Sequence, residues 1–256
     1  MNRVRHTNQF IRLARQLRGW RVGDLLPAQC PFCHAWPVWH QPGGICATCL
    51  VRYARQTPRC TCCALALPAP EMPCPSCAAL PSPLQRCIAA VDYAYPWHQA
   101  VAAFKFAQQP AWAQAMSQLL LAQPDCHVLV EHCDWIVPVP LSAQRLRERG
   151  YNQAWELCRA LAHRCDQTGK CLPYAITRHH VPQTQAKQSR QERLRRMHRM
   201  FALTSGNSTM WAGRRVLLVD DVMTTGATLF ALAKTLQAAG ASRVDALVFA
   251  RTPFEG

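Results

Sequence analysis

The sequence predicts an α/β fold, a parallel sheet flanked by helices, preceded by a small cysteine-rich module. Three observations predict it. Apolar runs alternate with helical patterns from about Pro81 onward; nine of the fifteen cysteines crowd between Cys30 and Cys77; and that crowded stretch is rich in proline, with apolar residues too scattered to build a core of their own. With 256 residues, half of them apolar, the chain has room for one large domain and one small one. Composition divides it into a basic amphipathic segment (1–27), the cysteine-rich module (28–80) and the α/β domain (81–256).

The elements follow in order. Residues 3–21 carry Phe10, Ile11, Leu13, Leu17 and Trp20 at helical spacing among arginines, which predicts an amphipathic helix. The segment lacks the continuous apolar core of a secretory signal, and no stretch approaches the ~20 apolar residues of a membrane span. A cytoplasmic protein without a membrane span is expected.

Cys30-Pro-Phe-Cys33, Cys46-Ala-Thr-Cys49, Cys60-Thr-Cys-Cys63 and Cys74-Pro-Ser-Cys77 put four CxxC pairs within 48 residues. Each pair forms a tight knuckle aiming two thiolates at one tetrahedral centre, and two knuckles complete a closed structural site. Two structural Zn²⁺ ions are therefore expected, with pairs one and two sharing one ion and pairs three and four the other. An interleaved pairing is the alternative, and either Cys62 or Cys63 can serve as the ligand. The other cysteines, Cys87, Cys126, Cys133, Cys158, Cys165 and Cys171, show no ligand spacing, and Cys158, within an expected helix, reads as a small core residue.

In the α/β domain, Asp134 to Pro140 reads as a strand, Gln153 to Cys165 as a helix, and Arg215 to Val219 as a second strand. Thr228 to Gly240 is a helix with Leu229, Leu232, Ala233 and Leu236 on one face and a glycine stop. Arg243 to Ala250 is the next strand. Strand, helix and strand joined by short connections make a parallel α/β unit.

One stretch of that unit carries chemistry. "VLLVDDVMTTGAT", Val216 to Thr228, is an apolar strand running into two carboxylates and then a loop of small hydroxylated residues. Ligands of open α/β sheets sit at the carboxyl ends of strands, and the first N–H groups of the following helix favour an anion. The loop has neither the dinucleotide pattern nor the closing Gly-Lys of the Walker pattern, so a single phosphate suits it better than a triphosphate. A ligand with hydroxyls, a divalent cation and a phosphate is implied. An acidic strand end with an N-capped helix would explain one Asp and one Thr, but not the whole run.

The net charge of +15 falls to about +11 when two four-thiolate zinc sites are counted. Nucleic acid, a polyphosphate metabolite and plain solubility each fit that excess.

Four apolar residues, two acids and V-x-T-T-G-x-T resemble the fingerprint of the type I phosphoribosyltransferases. The resemblance implies that Thr224, Thr225, Gly226, Ala227 and Thr228 bind the 5-phosphate of 5-phospho-α-D-ribose 1-diphosphate (PRPP), and that Asp220 and Asp221 are the catalytic-site acids facing the ribose. The cysteine pairs, "PVPLSAQRLRERGYNQA" (Pro138 to Ala154) and Phe104-Lys105-Phe106 narrow it. Together they are similar to the ComF family of competence and DNA-utilisation proteins over residues 28 to 252, which implies a double zinc ribbon ahead of a type I phosphoribosyltransferase-like domain. Arg145 and Arg149 then fall where a diphosphate binds, an anion that suits arginine's fork; the alternative is a solvated basic helix start. Lys105 is either a third diphosphate contact or a lysine with its stem buried and its head in water. Residues 183–201 resemble the mobile loop of phosphoribosyltransferases, with Arg193 and Arg196 on it; Arg196 stands where the ComF pattern has Asn.

The resemblance further implies PRPP with Mg²⁺ as ligand, single-stranded DNA and competence or DNA-processing proteins as partners, and transfer of phosphoribose to an unidentified acceptor. A non-catalytic factor handling single-stranded DNA is the rival reading. A salvage enzyme for a free base is weaker, because no base-reading segment is evident. The sequence sets no oligomeric state.

Overall fold

The computed structural model describes residues 26–39, 41–178, 200–204 and 208–254. The expected N-terminal helix over 3–21 and the loop arginines Arg193 and Arg196 lie outside the described residues. The chain divides into two compact units, one ending at Arg52 and the other beginning at Tyr53. The division falls between the two pairs of cysteine knuckles.

In the first unit, Ala28 and Val38 bridge antiparallel around the Cys30–Cys33 knuckle, and the second knuckle runs into a helix, α1 (Ala47–Tyr53). Ile45, Cys30 and Cys49 are buried there.

The second unit opens with the Cys60–Cys63 knuckle and a short helix, α2 (Pro75–Ala79), that begins after Cys74. Then come β1 (Arg86–Asp92), α3 (Trp97–Phe106), α4 (Trp112–Leu121), α5 (Cys126–His132) and β2 (Trp135–Pro138). Next are α6 (Ala143–Arg149), α7 (Gln153–Arg164) and an antiparallel pair, β3 (Ile176–Arg178) with β4 (Phe201–Leu203). The chain closes with β5 (Arg215–Met223), α8 (Ala227–Ala238) and β6 (Arg243–Arg251).

Four strands form one parallel sheet in the order β1, β6, β5, β2. The predicted α/β class is therefore the observed one. β5 and β6 are buried nearly throughout because helices cover both faces, and their sequences read as continuous apolar runs rather than alternations. Trp97 of α3 packs edge-on against Phe249 of β6 at 5.6 Å between ring centres. The Cys60–Cys63 knuckle contributes to the same core: Cys63, Ala64, Leu65 and Leu67 are buried with Val248, Leu232 and Phe230.

β5 runs four residues further than the apolar pattern suggests. Asp220, Val222 and Met223 stay extended because they pair with Val248, Ala250 and Arg251 of β6. Consecutive strand residues point to opposite faces, so Asp220 and Asp221 have different surroundings. Among the described residues, no helix is long and apolar enough to cross a membrane.

Candidate functional site

Asp220 and residues 222–229 line a concave cradle at the end of β5. The turn into α8 is made by Gly226, whose φ of +84° is the left-handed conformation that glycine adopts without strain. A side chain there has no room: its Cβ would stand 2.5 Å from Met223 Cε and 3.0 Å from Phe230 Cζ. Ala227 N–H leans on Thr225 Oγ1 at 3.4 Å, and Phe230 N–H, at 2.8 Å from the Gly226 carbonyl, is the first amide taken up by the helix. The amides before it face the cradle end of α8 with the positive end of the helix dipole. Gly226→Ala should destabilise the fold by about 1–2 kcal/mol from the backbone alone. Thermal denaturation reads that loss, and phosphate binding should weaken with it.

The two acids separate as strand geometry requires. Asp221 is buried, with Oδ1 at 3.0 Å from Lys105 Nζ at the end of α3 and Oδ2 without a partner among the described residues. Asp220 faces the cradle and accepts from the Asp221 N–H at 2.9 Å. Burial, with Asp221 beside it, pushes the Asp220 carboxyl up to about 7, against an opposing pull from Lys105.

A pH dependence follows with a definite sign. If a ligand's hydroxyls donate to Asp220, the ionised carboxylate is the form that binds them, and affinity for such a ligand should rise as pH passes upward through about 7. Asp220→Asn should flatten that rise in a titration series. Without ligand, the raised value favours the neutral acid in the fold, so this group's contribution to stability is greatest below its ordinary value of 3.8 and falls as pH climbs through about 7.

Beside the cradle, Pro138 of β2 pairs with Val219, and the Val139 N–H continues the ladder to the Val219 carbonyl at 2.9 Å. The loop after β2 thus lies next to Asp220. Ser142 caps α6 by accepting from the Arg145 N–H at 3.3 Å. The Gly-Tyr-Asn-Gln segment fixes the far end. Gly150 ends α6 at φ +77°; the Tyr151 hydroxyl donates to the Phe104 carbonyl; Asn152 caps α7 and holds the Val139 carbonyl at 3.1 Å. Buried Gln153 accepts from Arg149 Nη1 at 2.8 Å, and the Arg149 guanidinium lies 5.4 Å over the Phe106 ring.

Arg178 joins this group. Sequence reasoning missed it. It ends β3, where it bridges Ser142 in parallel, and its half-buried guanidinium lies 5.7 Å over the Phe201 ring. Burial and the nearby Arg145 lower its proton affinity, while Asp220 opposes them. Arg145 and Arg178 therefore stand as two neighbouring cations near Asp220 and its cradle. Only the folded pairing of β3 with the loop after β2 reveals this.

The cysteines converge in two sets, Cys30, Cys33, Cys46 and Cys49, and Cys60, Cys63, Cys74 and Cys77, each with its sulfurs within 4.8 Å of one another. Cys33 and Cys46 approach to 3.5 Å, Cys63 and Cys74 to 3.5 Å, and Cys60 and Cys77 to 3.7 Å. Four thiolates at ~2.3 Å from one tetrahedral ion lie ~3.8 Å apart, so both sets can hold zinc. Cys62 stands outside the second set, against Thr61 Oγ1 at 3.8 Å.

Residues 157–254 match the phosphoribosyl transferase domain family. The DNA utilization protein YhgH of Salmonella typhimurium is 32% identical over 236 residues, covering 89% of this chain and 98% of that protein. The protein of the same name in Escherichia coli K12 is 31% identical over 233 residues, with the same coverage. Competence protein F of Haemophilus influenzae is 30% identical over 212 residues, covering 81% of this chain and 90% of its own length. The chain belongs to the ComF family. The matched domain contains β5, its loop and α8; the cysteine knuckles lie ahead of it in the chain.

Proposed function

We propose that this ComF-family protein binds PRPP with Mg²⁺ across the ends of β5 and β2 and serves the uptake or utilisation of DNA. One observation carries the reading: a concave cradle at the start of α8 shares its rim with Asp220 and lies beside the loop that leads into α6, whose first turn bears Arg145. The 5-phosphate takes the amides and hydroxyls of Thr224, Thr225, Gly226, Ala227 and Thr228. Asp220 accepts from the ribose hydroxyls. Arg145, with Arg178 beside it, neutralises the diphosphate. Asp221 acts one step back, holding Lys105 at the site's edge. Arg149 steadies the same loop through Gln153 and Phe106.

If phosphoribose is transferred, an acceptor attacks C1 and diphosphate leaves through a transition state with oxocarbenium character. Mg²⁺ supplies charge neutralisation to the leaving diphosphate when bound. The chain's own residues position the ribose and offset the charge, so no general base is assigned. Zn²⁺ fills both cysteine sets as a structural ion. Fifteen reduced cysteines suit a cytoplasmic setting.

A second reading, a non-catalytic factor for single-stranded DNA, is favoured by the strong positive charge and by Trp36 and Trp39 near the first cysteine set, 68% and 48% exposed. Exposed aromatics beside cations stack single-stranded bases. Titration of the full chain with PRPP and Mg²⁺, followed by assay of diphosphate release with candidate acceptors including single-stranded DNA, separates the two. Acceptor-dependent release supports transfer. PRPP binding without release, beside DNA affinity that falls steeply with salt, supports the second reading.

A further inference from the structure

Arg251, the last residue of β6, is 3% exposed. Its guanidinium reaches four backbone carbonyls from three segments. Nε donates to Cys63 O at 3.0 Å; Nη1 donates to Met223 O at 3.2 Å, to Thr224 O, and to Thr252 O at 2.8 Å. Among the described residues, no carboxylate pairs with it. A buried guanidinium cannot shed its proton, so its desolvation must be offset by hydrogen bonds, here from Nε and from the two hydrogens of Nη1 shared among three carbonyls. Those donors join the Cys60–Cys63 knuckle to the first residues of the loop after β5.

We propose that Arg251 is a positioning residue for the phosphate loop, through which the metal state of the second cysteine set governs the loop's affinity for a phosphate-bearing ligand. The proposal rests on the reading of the cradle as a PRPP site. The geometry has two parts. In a trans peptide the C=O and the next N–H point to opposite sides. Carbonyls of Met223 and Thr224 held from behind therefore turn the N–H groups of Thr224 and Thr225 the other way, and both residues line the cradle.

The other part is the knuckle. Cys63 Sγ lies 3.5 Å from Cys74 Sγ, and the Cys63 carbonyl is the one Arg251 holds. A metal drawing the four sulfurs together fixes where that carbonyl stands; without it, the sulfurs separate and the carbonyl moves. Further ties bind the knuckle to the same end of the sheet. Cys87 N–H donates to Thr61 O at 2.7 Å, and Arg59 bridges Ala64 O at 3.2 Å and Asp92 at 2.8 Å. Cys87 Sγ touches Met223 Sδ at 3.8 Å. Knuckle and loop thus share one support.

The test is a double-mutant cycle on the full chain prepared with zinc: wild type, Arg251→Met, Cys74→Ser, which gives up the metal of the second set, and the double variant. PRPP with Mg²⁺ is titrated calorimetrically, and amide hydrogen exchange is followed over residues 222–229. Arg251→Met and Cys74→Ser should each weaken PRPP by roughly tenfold or more, since a misplaced binding loop loses that much or more. The double variant should be little worse than either, because both act through one link. Arg251→Lys, which keeps the charge but reaches fewer carbonyls, should recover part of the loss; it also serves if Arg251→Met does not fold. Exchange in the loop should quicken in both single variants. Unchanged loop exchange in Arg251→Met, or losses that add in the double variant, would overturn the proposal. If the wild type binds no PRPP, the function reading fails by itself, and the exchange data still decide the link between knuckle and loop.

Discussion

Cys63→Ser should cost the protein one of the two zinc ions proposed for its cysteine sets and at least about 4–5 kcal/mol of stability, the range in which loss of a metal site falls. For a chain of this size that is a drop in melting temperature of roughly 10 °C or more. The reason is placement. Cys63 has no exposed surface, and its knuckle neighbours Ala64, Leu65 and Leu67 share a core with Phe230, Leu232 and Val248. Metal binding in such a site is folding energy, and here it supports the sheet directly. Cys62→Ser should keep both ions and shift stability by less than about 1 kcal/mol, because its sulfur lies outside the set. Cys33→Ser should remove one ion yet leave the main unfolding transition in place, since its set belongs to the other unit. Metal analysis with thermal denaturation reads all three.

The second large effect separates the twin aspartates. Asp221→Ala leaves Lys105, whose side chain is 18% exposed, facing a cavity where its 3.0 Å partner stood. Removing one member of a buried pair costs about 3–5 kcal/mol, because the remaining charge stays desolvated. Asp221→Leu with Lys105→Met should recover most of that stability, since an apolar pair of similar volume carries no such charge. Asp220→Asn should behave in the opposite way. It should keep the fold, because burial already favours a neutral group there, and remove the proposed acceptor for the ribose hydroxyls. Urea denaturation alongside PRPP titration distinguishes the pair: one acid acts on stability, its neighbour on ligand.

Much of this was legible in the sequence, for identifiable reasons. β5, α8 and β6 follow from apolar runs, a Gly-led turn and a glycine stop, all local signals. The CxxC spacing gave the knuckles, while the choice between Cys62 and Cys63 needed the fold, because both lie one or two residues from the same turn. β1 escaped notice because its Cys-Ile-Ala-Ala-Val run is short and poor in β-branched residues. α3 and α4 escaped because Pro96 and Ala111 at their starts provide no side-chain cap.

The residues missed at the site are those defined by distant partners. Arg178 reads as one arginine among many until β3 meets the loop after β2. Arg251 reads as a strand end until its guanidinium meets a carbonyl 188 residues away. Lys105 was open between a phosphate contact and a surface lysine; in the structure its ammonium meets Asp221.

The most direct measurement is calorimetric titration of the zinc-loaded full chain with PRPP and Mg²⁺ at pH 8, repeated at pH 6 and with Asp220→Asn. One PRPP per chain, bound more tightly at the higher pH, with affinity and pH dependence both lost in Asp220→Asn, is the predicted result. No PRPP binding at either pH, or binding that Asp220→Asn leaves intact, would contradict the assignment of the β5 cradle as the PRPP site.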